Sequence, residues 1–247
     1  MSKIDTYRAA LQQCQDLDSY LLAESGLPGP RGNIELAQAV ADFGDEALFT
    51  HLLTFTPDVA PTDTPQEFLA FCGAVGLGKL AAAGQTQWLE PLRKLASDQR
   101  WRTREGVAMA LQRVGDANMP MLLDTMAQWS KGNLLEQRAA AAALCEPRLL
   151  KNPAQVKRVL DILDEITSAL CKATDRKSED FKTLRKGMAY CWSVAVAALP
   201  EEGKRRMERW FTEPDKDVRW IMRENLKKNR LTQMDRAWVE QWQKSLG

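Results

Sequence analysis

A single histidine, His51, serves the whole 247-residue chain, and its five cysteines (Cys14, Cys72, Cys145, Cys171, Cys191) stand at least twenty residues apart. Zinc sites of the His-Glu-x-x-His or paired-cysteine kind need ligands about one turn apart, so neither can be assembled, and no metal is expected. An odd number of isolated cysteines among apolar neighbours, as in Leu144-Cys145 or Cys191-Trp192, reads as small buried hydrophobes in a reducing compartment. Apolar runs fall far short of the ~20 residues that a membrane span requires. The polar start, Ser2-Lys3-Ile4-Asp5, has no leader pattern. The expected setting is the cytoplasm, with no membrane partner. Period-two alternation is also scarce, which argues against sheets. With 45% hydrophobic and 27% charged residues, the chain can bury a core without metal or disulfide.

The net charge of +1 hides an asymmetry: residues 1–90 carry 4 Lys/Arg against 12 Asp/Glu, and residues 91–247 carry 30 against 21. Such a polarised chain can steer a charged partner or associate head to tail. The basic part is compatible with nucleic acid, without the strong excess of a dedicated nucleic-acid domain.

Helical periodicity runs through the chain. Gly, Pro, Asn and Asp separate the apolar-periodic segments at intervals of roughly 12–20 residues, an ordinary helix length. An opening helix is predicted over 4–24, ended by Gly26-Leu27-Pro28-Gly29-Pro30. Asn33 is positioned to cap a helix to 41, another spans 46–55, and 56–65, with three prolines, is a loop. From Gln66 the helices pair. One kind covers 87–96, 119–128, 154–171 and 204–211; a second kind covers 101–114, 135–145, 179–199 and 218–229. A final helix at 235–245 closes the chain. The stripe Val107, Ala110, Leu111, Val114 is that of a half-buried helix.

The second-kind helices resemble one another. In Arg104-Glu105-Gly106-Val107-Ala108-Met109-Ala110-Leu111 and Arg219-Trp220-Ile221-Met222-Arg223-Glu224-Asn225-Leu226, an arginine leads a leucine by seven positions. Arg138 fits with a slip of one. The steps from Arg104 to Arg138 and on to Arg219 are 34 and 81 residues, one and two periods of roughly 40. Ser97-Asp98-Gln99-Arg100-Trp101-Arg102-Thr103-Arg104 and Asp215-Lys216-Asp217-Val218-Arg219 resemble the inter-helix turn and second-helix start of HEAT repeats. The resemblance covers about 66–230. It implies a single all-α domain over 1–247, a right-handed α-α superhelix (HEAT-like, armadillo-type solenoid) of about five helix pairs. Residues 1–65 would be an irregular N-terminal cap, and 66–247 the repeats and C-terminal cap. It further implies that Asp and Arg of successive repeats ladder together, and that stacking completes a core no hairpin holds alone.

Two enzyme motifs fail on their residues. Gly73-Ala74-Val75-Gly76-Leu77-Gly78-Lys79 matches the core of a phosphate-binding loop, but Leu80 stands where Ser or Thr should reach magnesium, and no strand–helix alternation surrounds it. Its small residues read as close helix packing. His51, within Phe49-Thr50-His51-Leu52, reads as a helix-face side chain without a nucleophile motif.

Eight tryptophans are better explained as packing, except where two stand beside charge at helical spacing: Trp101 four residues before Glu105, and Trp220 three before Arg223. These pairs resemble the aromatic–carboxylate and aromatic–arginine pairs of HEAT-like-repeat alkylpurine DNA glycosylases, which serve DNA alkylation repair. The likeness implies a catalytic set of Glu105, Trp101 and Trp220, with phosphate contacts from Arg223 and Arg138. Arg104, Arg185 and Arg219 fall on the same second-kind helices and would extend a basic stripe able to track phosphates. This chain departs from that family in carrying Glu for Asp and in an additional repeat before Trp220. The first expectation is a non-enzymatic module that recognises a protein or peptide on a concave surface, without cofactor; DNA binding related to those glycosylases is the alternative.

Overall fold

The computed structural model describes residues 2–246, and among them every regular element is a helix. Contacts divide the chain into two compact units, 1–118 and 119–247. The first holds ten Lys/Arg against fifteen Asp/Glu, the second twenty-four against eighteen.

Unit 1 contains α1 (Lys3–Gln13), α2 (Leu17–Ala23), α3 (Ile34–Phe43), α4 (Glu46–Leu52), α5 (Pro65–Ala82), α6 (Leu89–Leu95) and α7 (Trp101–Ala117). The predicted opening helix is in fact two. α1 starts with a capping box between Ser2 and Asp5, and the chain breaks before Asp16, whose carboxylate accepts the Ser19 N–H and caps α2. Asn33 and Asp45 cap α3 and α4 in the same way. Helices α1, α3, α5 and α7 contact one another in sequence, while α2 and α4 pack on α5, and α6 on α5 and α7. α5 is buried on nearly every side, as expected of a helix apolar all round.

The glycines of the false phosphate loop lie inside α5. A Cβ at Gly76 would stand 2.1 Å from the Phe49 ring, and one at Gly78 would stand 2.4 Å from the Ala110 Cα. Gly106 of α7 answers against Phe71. Lys79 donates to the carbonyls of Asp42 (2.9 Å) and Gly44 (2.7 Å), satisfying the end of α3.

Unit 2 contains α8 (Met119–Trp129), α9 (Leu134–Leu144), α10 (Pro153–Lys172), α11 (Glu179–Ala198), α12 (Pro200–Phe211), α13 (Lys216–Leu226), α14 (Asn229–Met234) and α15 (Arg236–Leu246). Side-chain caps at Asn133, Asn152, Ser178 and Asp215 set the starts of α9, α10, α11 and α13. Two layers result: α9, α11 and α13 contact in sequence, as do α8, α10 and α12, with each hairpin joining the layers. Three buried tryptophans satisfy their indole N–H groups within this unit. Trp192 donates to Thr167 (3.0 Å), Trp210 to Asp164 (2.7 Å) and Trp238 to Glu208 (2.7 Å). The amide of Asn225 on α13 bonds both the Met188 carbonyl and the Ser193 N–H of α11, tying the two helices at their centre. No described helix is long and apolar enough to cross a membrane.

Candidate functional site

The sequence-predicted residues divide between the two units. In unit 1 the turn into α7 is held by an ion pair: Asp98 and Arg100, both buried, meet at 2.8 Å. Arg100 also donates to the carbonyls of Phe55 (2.7 Å) and Ala60 (3.2 Å), so its fork is spent on the chain's own backbone. Arg104 joins the same turn, donating to the carbonyls of Asp98 (2.5 Å) and Gln99 (3.0 Å). Arg102 is buried against the fully buried Glu67 at 3.1 Å, and reaches Asp63 and the Gly29 carbonyl.

Trp101 opens α7 and is 44% exposed, with the Arg102 guanidinium 4.4 Å from its ring centroid. One turn on, Glu105 shares with it a cavity of about 200 Å³. Its remaining wall is largely apolar, from Ile34, Phe68, Phe71 and Met109. The predicted Trp101–Glu105 pair is thus brought together on one pocket, able to take an apolar or planar group beside a carboxylate.

Unit 2 holds Arg138, Arg185, Arg219, Trp220 and Arg223. Arg185 reaches across from α11 to α13, donating to Asp217 at 2.5 Å and stacking 4.3 Å over the half-buried Trp220 ring. Asp217 also pairs with Arg176 (3.0 Å), and Arg176 with Asp215 (2.6 Å). These two carboxylates raise the Arg176 pKa further above its ordinary value. Burial alone would raise the Asp215 pKa. The Arg176 guanidinium and the N–H groups of Val218 and Asp217 outweigh it and hold Asp215 below the usual carboxylate range. Arg138 packs over α11, its Cγ lying 3.4 Å from where a Gly187 Cβ would be. Arg219 is exposed on α13.

Three surface depressions follow α13. The first surrounds its start and includes Lys177, Arg185, Lys216, Trp220 and Arg223. The second shares Trp220 and Arg223 and adds Glu224, Lys227 and Gln243. The third shares Lys227 and continues to Tyr190, Lys228 and Arg230. Together they are lined by eight cationic side chains and only three carboxylates, Asp175, Asp217 and Glu224. Sequence reasoning singled out Arg185, Trp220 and Arg223 but missed Lys216 and Tyr190. Lys216 was legible as the cation after the Asp215 cap. Tyr190 lies forty residues from the arginine that covers it and left no local signal.

Among the described residues no group of three or more His, Cys, Asp or Glu side chains is disposed to hold a metal. No known family model matches the chain, and no curated protein matches it. Among solved structures it is similar to an engineered protein from the Northeast Structural Genomics Consortium, at 16% identity and a TM-score of 0.35. That match covers 95% of this chain and 98% of the other. A likeness at that level carries no structural or functional argument.

Proposed function

We propose that the chain is a non-enzymatic binding module built from HEAT-like helix hairpins, which holds an anionic macromolecule, a protein or peptide, along the α13 face of its second unit. The single observation that carries this reading is the run of shared depressions along α13, cationic side chains outnumbering carboxylates along its length. Extended recognition by successive hairpins suits a partner longer than a metabolite. The Asp217–Arg185 tie between successive second-kind helices supports the HEAT-like reading, since it falls on the Asp-Val-Arg step that carries the resemblance. The five free cysteines agree with a reducing, cytoplasmic setting. The reading calls for no metal, cofactor or membrane.

The test is a titration of the whole chain with fluorescein-labelled polyglutamate and, separately, with labelled duplex DNA, across a salt series. Binding is expected to weaken with salt, because each neutralised contact releases counterions or is screened. Lys216→Glu with Arg223→Glu is expected to weaken it about tenfold, one to two close charge contacts' worth. If polyglutamate does not bind at low salt, the proposal fails, and binding of DNA alone favours the second reading below.

A second reading has its own support. Trp101 is exposed and shares a pocket with Glu105, the arrangement that the glycosylase resemblance calls for. In that reading DNA is the partner, and Glu105 would stabilise positive charge developing on a departing glycoside. Base release from alkylated duplex DNA tests it; activity unchanged in Glu105→Gln would end the catalytic assignment.

A further inference from the structure

The third depression is the largest of the three and differs from the other two in what forms its floor. It measures about 590 Å³ and is floored by Pro147, Leu150, Val194, Ala197 and Ala198, with Tyr190 at its side. Its rim carries Lys227, Lys228 and Arg230, and no carboxylate lines it. Tyr190 is 43% exposed. Its ring is covered by the Arg230 guanidinium at 4.7 Å, its hydroxyl accepts from the same arginine, and the Lys228 ammonium lies 5.9 Å from its centroid.

Cations after a helix are favoured by its dipole in any protein, so their presence alone decides nothing. Their direction does. The Leu226 carbonyl at the end of α13 is satisfied by the Gln243 amide at 3.1 Å. Lys228 and Arg230 turn to Tyr190 and the groove instead. Lys227 is paired with Glu224 at 2.6 Å, which leaves Lys228 and Arg230, without a carboxylate partner among the described residues, beside the aliphatic floor. They call for a ligand with the complementary pattern, negative charge flanking a bulky apolar group.

From this we infer that the groove formed by Pro147, α11 and the α13–α14 junction is a docking site for an acidic peptide segment carrying one large apolar anchor residue. The inference rests on the reading of unit 2 as an anion-binding face and names the partner's chemistry. A nucleic acid fits less well. Its bases need free aromatic faces or edge-reading polar groups. Here the one tyrosine ring is already occupied by Arg230, and Asn229 is the only neutral amide in the lining. The anchor would lie on Val194 and Ala198, and the flanking carboxylates would meet Lys228 and Arg230.

The experiment uses the whole chain and four labelled probes read by anisotropy. They are an acidic twelve-residue peptide with a central leucine, the same peptide with serine in its place, polyglutamate, and a single-stranded oligonucleotide of equal charge. The leucine peptide is expected to bind at least about fivefold tighter than the serine peptide, the effect of burying one aliphatic side chain. Lys228→Glu with Arg230→Glu should weaken it about tenfold or more. Ala198→Trp, which fills the floor without altering charge, should erase the preference for leucine. Each variant's thermal melt reports whether it folds, and Ala198→Trp keeps the test open if the charge reversals do not. Equal binding of both peptides overturns the anchor. Tighter binding of the oligonucleotide, lost in the same variants, overturns the peptide. If polyglutamate still binds through Lys216 and Arg223 in either case, this inference alone falls; if no probe binds, the broader reading falls with it.

Discussion

The close approach of α5 and α7 makes a signed prediction. A Cβ added at Gly78 would stand 2.4 Å from the Ala110 Cα, 2.6 Å from its carbonyl oxygen and 2.7 Å from its Cβ. These are main-chain atoms and a methyl fixed to them, so no side chain can swing aside, and the helices must part by about 1 Å. Overpacking of this kind costs about 1–3 kcal/mol, and contact with backbone places Gly78→Ala at the upper end. Alanine's better helix propensity returns about 1 kcal/mol, leaving a net loss near 2 kcal/mol. For a chain of this size that is a fall in Tm of roughly 4–8 °C. Gly187 in α11 is the control. The nearest atom to its added Cβ is the Arg138 Cγ at 3.4 Å, ordinary contact. Gly187→Ala should therefore keep most of the propensity gain and raise Tm by roughly 2–4 °C. Far-ultraviolet circular dichroism melts of the two variants measure both. A Gly78→Ala protein melting at or above the parent would refute the packing argument.

Three further outcomes follow from buried charge. Arg102→Met strands the fully buried Glu67 carboxylate and should cost about 3–5 kcal/mol in urea denaturation. Adding Glu67→Gln, which still accepts the Asp63 N–H, should recover most of that loss, and an unchanged or larger loss would contradict it. Lys79→Met removes two charged hydrogen bonds to the end of α3 and should cost about 2 kcal/mol; ATP should leave the melt of both proteins unmoved, and a nucleotide shift seen only with Lys79 present would revive the phosphate loop. Asp215 titrates below its unfolded value near 3.9, so the stability it contributes is present above about pH 4 and lost as pH falls through its lower folded pKa. Asp215→Asn should therefore be less stable at neutral pH and lose less between about pH 4 and pH 2; parallel stability curves would count against the assignment.

The helical class and, to within two residues, the starts of α9, α11 and α13 are legible, since Asn133, Ser178 and Asp215 are capping residues in front of apolar-periodic runs. The break between α1 and α2 is not, because Leu11, Leu17 and Leu21 keep apolar character on both sides of it. Only the bond from Ser19 to Asp16 shows that the aspartate starts a helix instead of lying within one. The short helix α14 is not legible: the periodicity carries one helix to 229 and opens the last at 235, since Lys227-Lys228-Asn229-Arg230 contains no glycine or proline to mark the turn that ends α13 at Leu226. For the candidate sites, spacing identified Trp101 with Glu105 because one helical turn joins them. It could not find Glu67 with Arg102 or Tyr190 with Arg230, pairs made by packing between elements at separations of 35 and 40 residues.

What spacing also could not do is sort the arginines, and the sorting decides what a charge reversal will report. Arg100, Arg102 and Arg104 sit within five positions, yet each is engaged by the carboxylates or carbonyls of unit 1. Arg185 is in part engaged by Asp217 and in part laid on Trp220. By contrast Lys177, Lys216, Arg219 and Lys228 make no ion pair among the described residues, and Arg219 and Lys216 are exposed. A cation already satisfied inside its own unit cannot neutralise a partner without breaking that bond, whereas an exposed one loses only solvation. Arg104→Glu should therefore lower Tm while changing the salt slope of anion binding little. Lys216→Glu should leave Tm within about 1 °C, as expected of an exposed surface charge, and flatten the slope by about one contact. Measured side by side, a reversal of that pattern would show that the arginines of the α7 turn, and not the cations along α13, face the partner.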